Sequence, residues 1–188
     1  MNISIIAGSP RKNSISIRVA LFLKSYLEEK TKHQIDIIDV REYEVPSMLQ
    51  EVITSVDKAP DHLKTLATKL FATDAFILVT PEFNGSYTPA LKNLFDHFPK
   101  QAHKSFAIVT TSPGAMGGMR ATQQLQLLIN ALFGIASPYM LVTPFVDKKF
   151  DITGNLIDES FKNTIDHFIH EFLWLAESLK PELEPVYN

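Results

Sequence analysis

The stretch Gly8-Ser9-Pro10-Arg11-Lys12-Asn13-Ser14-Ile15-Ser16 puts a glycine turn, three hydroxyls and a guanidinium close together, directly after the apolar run Ile3 to Ala7. These residue types bind anions. A strand that stops at Gly8 delivers the chain to a sheet edge, and a helix starting after it turns its free N–H groups and partial positive charge toward the same point. Ser9, Ser14 and Ser16 can donate O–H bonds to phosphate oxygens, and Arg11 adds a planar fork of charged donors. Taken alone, Gly8 and Ser9 also suit an ordinary strand-to-helix turn with Ser14 as its N-cap.

Two further loops have the composition of a recognition surface. One is Thr80-Pro81-Glu82-Phe83-Asn84-Gly85-Ser86-Tyr87-Thr88-Pro89, in which the prolines restrict the backbone and Asn84-Gly85 can turn at positive φ. The other runs from Thr110 to Arg120 and holds Ser112, Gly114, Gly117 and Gly118, whose missing side chains permit close backbone approach to a ligand. Glu82 suits a loop-fixing acceptor, with a proton donor as the second reading. Arg120 opens a helix against the dipole, so it suits either a cofactor contact or a salt bridge. His167, His170 and Glu171 have the spacing of a solvated helix face, and no metal site is expected there. Trp174 lies off the apolar stripe of its helix and is the better interface candidate.

The elements that must position these loops follow from periodicity. Five apolar runs, Ile3 to Ala7, Ile35 to Val40, Ala75 to Thr80, Ser105 to Thr110 and Pro138 to Val142, suit parallel strands covered on both faces. Between and after them, Leu91, Leu94, Phe95 and Phe98 share a helical face. Leu125, Leu128, Ile129 and Leu132 share another, and Phe161, Ile165, Phe168, Phe172 and Leu179 a third. Thr88-Pro89 reads as an N-cap with proline at the first helical position, Gly134 as the residue just past a helix end, and Pro181 and Pro185 as stops. Alternating strands and helices with right-handed crossovers, too few for a barrel, predict an α/β doubly wound five-stranded parallel sheet of order 2-1-3-4-5 with helices on both faces. The ligand crevice then lies beyond strands 1, 3 and 4. The irregular stretch from Tyr43 to Pro60 is expected to be a surface excursion near it.

Composition bounds the function. At 188 residues and 45% hydrophobic, the expectation is one domain over 1–188. A net charge of -3 offers no basic field for nucleic acid or an anionic membrane. The chain contains no cysteine, which removes disulfides, thiolate metal sites and cysteine nucleophiles, so redox chemistry must come from a bound cofactor. Neither a signal peptide nor a membrane span is visible, and a cytoplasmic location is expected.

Gly8-Ser9-Pro10-Arg11-Lys12-Asn13-Ser14, Pro81-Glu82-Phe83-Asn84-Gly85-Ser86 followed by Leu91-Lys92-Asn93, and Gly114 with Gly117-Gly118-Met119-Arg120-Ala121 together resemble the signatures of the NADPH-dependent FMN reductase family, in order and spacing. The resemblance implies a flavodoxin-like fold, non-covalent FMN, NADPH or NADH as reductant, and a homodimer or homotetramer. It places the FMN phosphate against Ser9, Arg11, Ser14 and Ser16, and the isoalloxazine along Pro81, Glu82, Phe83, Asn84 and Gly85. Ser112, Gly114 and Gly117 fall on the far side. Many relatives have Tyr at Phe83 and Asn at Ser16, so a hydroxyl is lost at one position and a donor shortened at the other. The implied function is an NAD(P)H-dependent oxidoreductase acting on quinones, azo compounds or similar small acceptors, with no catalytic side chain because FMN does the chemistry. A flavodoxin-type electron carrier without pyridine-nucleotide activity is the alternative, although such carriers are commonly more acidic than this chain.

Overall fold

The computed structural model describes residues 1–47 and 51–179. Its centre is a parallel sheet in the order β2-β1-β3-β4-β5, formed by β1 (Asn2–Ala7), β2 (Gln34–Asp39), β3 (Ala75–Pro81), β4 (Ser105–Thr111) and a divided last strand. The register sets Ala7 beside Asp39 and Val79, and Val79 beside Val109, so the carboxyl ends of β1, β3 and β4 finish level. This is the doubly wound arrangement expected from the alternating pattern.

Alternation along each strand divides the core in two. Ile3, Ile5, Ala7, Ile77, Val79, Ala107 and Val109 share a core with α1 (Ile17–Lys30), the one-turn α5 (Val146–Lys149) and α6 (Lys162–Ser178). Ile6, Phe76, Leu78, Phe106 and Ile108 face α2 (Lys64–Ala72), α3 (Pro89–Asp96) and α4 (Met119–Ala131). Phe76 stacks on Phe106 with centroids 4.9 Å apart, and Phe95 meets Phe76 edge-on at 5.7 Å. The aromatic pairing adds about 0.5 to 1.5 kcal/mol beyond area burial. Trp174 on α6 is 62% exposed, off the buried stripe as its position predicts.

Two expectations need correction. The fifth strand is two pieces: β5 (Ile135–Ala136) pairs with Ser105 and Phe106, and β6 (Leu141–Thr143) pairs with Val109 to Thr111. Pro138, which has no N–H for the ladder, stands in the gap. Gly134 lies just past the end of α4, as expected, directly after Phe133 in the left-handed region (φ 61°). The glycine is needed for space, since a Cβ there would lie 2.4 Å from the Phe106 ring. The described parts of the stretch from Tyr43 to Pro60, residues 43–47 and 51–60, do not stay at the crevice. Ile53 and Ala59 enter the core, and the Ile53 N–H donates to the His97 carbonyl at 2.8 Å, at the opposite end of α3. Apolar surface between α2 and α3 has to be covered, and this segment covers it. Pro181 and Pro185 lie outside the described residues.

Overpacking should therefore make Gly134→Ala costly. We expect a loss of about 1 to 3 kcal/mol, read as a lower denaturation midpoint with unchanged m-value. Wild-type stability in that variant would mean the ring moves aside freely.

Candidate functional site

At the carboxyl end of β1 the backbone is fixed before any side chain acts. The Gly8 N–H donates to the Val79 carbonyl at 2.8 Å, and its Cα lies against α3, where a Cβ would come within 3.2 Å of Leu91 Cβ. Thr88 Oγ1 donates to the Gly8 carbonyl and accepts the Leu91 N–H at 3.2 Å, so the α3 N-cap also anchors the first loop. On the other side the buried Asp39 takes a two-pronged ion pair from Arg41, whose Nη1 donates to the Lys12 carbonyl at 3.1 Å. The hydrogen bonds that Arg41 donates to the Asp39 carboxylate raise the Arg41 pKa above its ordinary value, so its guanidinium keeps its charge at all working pH.

Among the described residues, the polar side chains of that loop make no hydrogen bond to the rest of the protein. Arg11 has no carboxylate among the described residues; its guanidinium lies over the Phe83 ring, 4.6 Å from the centroid, joining the first loop to the second. Ser14 Oγ and Ser16 Oγ share a 2.9 Å hydrogen bond. Ser16 precedes α1 but already has helical dihedrals and caps nothing, and no acidic residue stands in the first turn of α1. The positive end of the helix is open. Ser14 is therefore not the N-cap that the ordinary-turn reading required.

The second loop is a tight hairpin. Asn84 (φ 51°) and Gly85 (φ 85°) both adopt the left-handed region, and Phe83 and Ser86 exchange backbone bonds of 2.8 and 3.1 Å. Asn-Gly is the pair that such a two-residue turn favours. Glu82 reaches across to α4, accepting the Arg120 backbone N–H at 3.1 Å and its Nη1 at 3.3 Å. A carboxylate at a helix N-terminus is favourable there, and it offsets the unfavourable position of Arg120.

In the third loop the Ser112 N–H donates to the Thr143 carbonyl at 3.1 Å, and Ser112 Oγ accepts the Gly114 N–H at 3.0 Å. Gly117 and Gly118 serve the fold. A Cβ on Gly117 would lie 2.7 Å from Val142 Cγ1, and one on Gly118 would lie 3.1 Å from Thr110 Cβ. Their close approach is to β6 and β4 of the protein itself.

These loops enclose a cavity of about 180 Å³ lined by Ser9, Arg11, Asn13, Ser14, Ile15, Ser16, Pro81, Glu82, Phe83, Thr111, Ser112 and Pro113. Larger clefts of about 490 and 620 Å³ exist elsewhere, but they do not gather the ends of β1, β3 and β4. Of the residues expected from sequence, Asn84, Gly85, Gly114 and Gly117 stand outside this lining. Asn13, Ile15, Thr111 and Pro113 were missed. Thr111 matters most among these, because its hydroxyl is buried with no hydrogen-bond partner among the described residues. Its position as the last residue of a strand ending in Thr110-Thr111 was the available signal. A buried hydroxyl left unpaired costs about 1 to 3 kcal/mol. Thr111→Val should accordingly raise the stability of the ligand-free protein by about 1 kcal/mol while weakening the ligand bound in this cavity. Calorimetry on the two forms would check both signs.

The model of the family described as NADPH-dependent FMN reductase matches residues 1–144. An FMN-dependent NADPH-azoreductase of Staphylococcus saprophyticus is 28% identical over 173 residues, covering 90% of this chain and 92% of that one. Its Staphylococcus aureus counterpart is 27% identical over 175 residues, with the same coverage. Among solved structures, the FerB flavoenzyme NAD(P)H:(acceptor) oxidoreductase of Paracoccus denitrificans superposes with a TM-score of 0.75 at 20% identity, covering 94% of this chain and 97% of that one. With the family matched over most of its length and the three loops converging on one anion-suited cavity, the chain belongs to the NADPH-dependent FMN reductase family.

Proposed function

We propose that this protein is an NAD(P)H-dependent, FMN-containing oxidoreductase whose acceptors are quinones, azo compounds or similar small molecules. The observation that carries the reading is the cluster of donors in one cavity that have no hydrogen-bond partner among the described residues: the Arg11 guanidinium, the open N-terminus of α1 and the orphaned Thr111 hydroxyl. Such a set fits a phosphorylated, polyhydroxylated cofactor. Ser9, Arg11, Ser14 and Ser16 would hold the FMN phosphate. Pro81, Glu82, Phe83, Asn84 and Gly85 would support the ring, Ser112 and Gly114 would take the opposite side, and Gly117 would shape the third loop from beneath.

When bound, FMN supplies hydride acceptance from a nicotinamide and delivery of two electrons to an acceptor. The protein's part is positioning. Glu82 locks the second loop to α4, and Arg11 stacked on Phe83 keeps the first and second loops together. An enclosed volume of about 180 Å³ is below the usual ~300 to 1,000 Å³ of ligand pockets, so much of the cofactor would remain open to a second molecule. Reductant and acceptor would then alternate at one open face. The azoreductase relatives support azo compounds among the acceptors, and they count against a carrier without pyridine-nucleotide activity.

A homodimer or homotetramer is part of this reading, supported by the exposed Leu127, Phe133, Ile135 and Trp174. So is a cytoplasmic location, in keeping with the absence, among the described residues, of any helix long and apolar enough to cross a membrane.

The purified protein should show a two-banded flavin spectrum, release FMN on heating and bleach on anaerobic addition of NADPH. A colourless protein that fails to take up FMN would overturn the reading. Arg11→Ala should weaken FMN by the roughly 1.5 to 3 kcal/mol of a charge-assisted hydrogen bond, with the fold intact by circular dichroism. Unchanged affinity would remove Arg11 from the site. Initial-rate plots against NADPH at several acceptor concentrations should be parallel; intersecting lines would exclude alternation at one face.

A further inference from the structure

The segment that covers the groove between α2 and α3 leaves a second cavity, of about 490 Å³, at the far end of α3. This lies within the ~300 to 1,000 Å³ of small-molecule sites. Val52, Ile53 and Leu63 supply apolar walls, Glu51 and Lys58 carry opposite charges at its border, and His97 contributes the imidazole. Ile53 and Leu63 are buried and the Ile53 N–H is bonded to the His97 carbonyl, so these two walls belong to the packed fold.

His97 is only 4% exposed. Its Nδ1 lies 2.8 Å from the Asn93 carbonyl oxygen. A carbonyl can only accept, so Nδ1 carries the proton, and in the neutral ring Nε2 is left as a lone-pair acceptor. Nε2 meets no donor among the described residues. The ring also sits at the C-terminal end of α3, where the helix dipole favours an incoming positive hydrogen and disfavours an anion. With apolar walls, one acceptor and balanced charges at the border, the fitting ligand is neutral, apolar and carries a single donor.

We propose that this cavity is a second ligand site for a phenol, its ring against Val52, Ile53 and Leu63 and its hydroxyl donating to His97 Nε2. The eight residues of α3, at about 1.5 Å each, set it roughly 12 Å from the Gly8 and Thr88 junction. It is thus separate from the cavity that the proposed cofactor would fill, and it does not depend on that assignment.

The test is an NMR titration of the protein as purified with its cofactor, using 4-ethylphenol, ethylbenzene and 4-ethylbenzoate as probes. We expect 4-ethylphenol to give saturable shifts at the Val52, Ile53 and Leu63 methyls and at the His97 ring nitrogens. Ethylbenzene, lacking the donor, should bind about tenfold more weakly, the typical net effect of one hydrogen bond. Val52 is 41% exposed, so Val52→Asp should fold, retain its cofactor and NADPH oxidation, and lose 4-ethylphenol by about tenfold or more. Absence of saturable shifts at these methyls, shifts confined to the first cavity, equal affinity for ethylbenzene, or preference for the benzoate would each overturn the proposal.

Discussion

The Thr88 hydroxyl fixes the relation between the start of α3 and the end of β1, donating to the Gly8 carbonyl while accepting the Leu91 N–H. The Gly8 N–H to Val79 carbonyl bond brings in the end of β3. A crevice made largely of loops has little rigidity of its own, and here the first two loops leave from a junction set by backbone and one buried hydroxyl. Gly8 allows the junction to close, because any larger residue would press on Leu91 and the Val79 carbonyl.

Around that junction the polar side chains divide their labour by exposure. Buried or braced groups such as Asp39 with Arg41, and Glu82 with the α4 N-terminus, are spent on holding loops in place. Arg11 and the Thr111 hydroxyl find no polar protein partner among the described residues. A protein that delegates its electron chemistry to a flavin requires this kind of division, with rigid supports and free donors in place of a nucleophile or an acid.

Much of this was legible in the sequence, for identifiable reasons. Unbroken apolar runs between amphipathic segments fix a parallel sheet, and Thr88-Pro89 and Asn84-Gly85 each permit essentially one local geometry. What was not legible depended on contacts distant in sequence. Gly117 and Gly118 look like ligand-approach glycines until β6 and β4 are seen beneath them, and Gly134 looks only like a helix-end marker until the Phe106 ring appears beside it. Thr111 could not be singled out because an orphaned hydroxyl is defined by every neighbour it lacks. The path of the segment past Tyr43 was hidden too, since nothing local indicates that Ile53 reaches the far end of α3.

The divided last strand also bears on the behaviour of the sheet toward other chains. A parallel sheet of this order has two borders, and an uninterrupted border strand presents a row of unpaired N–H and C=O groups on which a foreign strand can assemble. Here one border consists of runs of only two and three residues separated by a proline-containing step. Too few consecutive backbone groups are in line to template further pairing. The interruption that spoils the regularity of the fifth strand thereby guards the protein against growing into fibrous aggregates along that side.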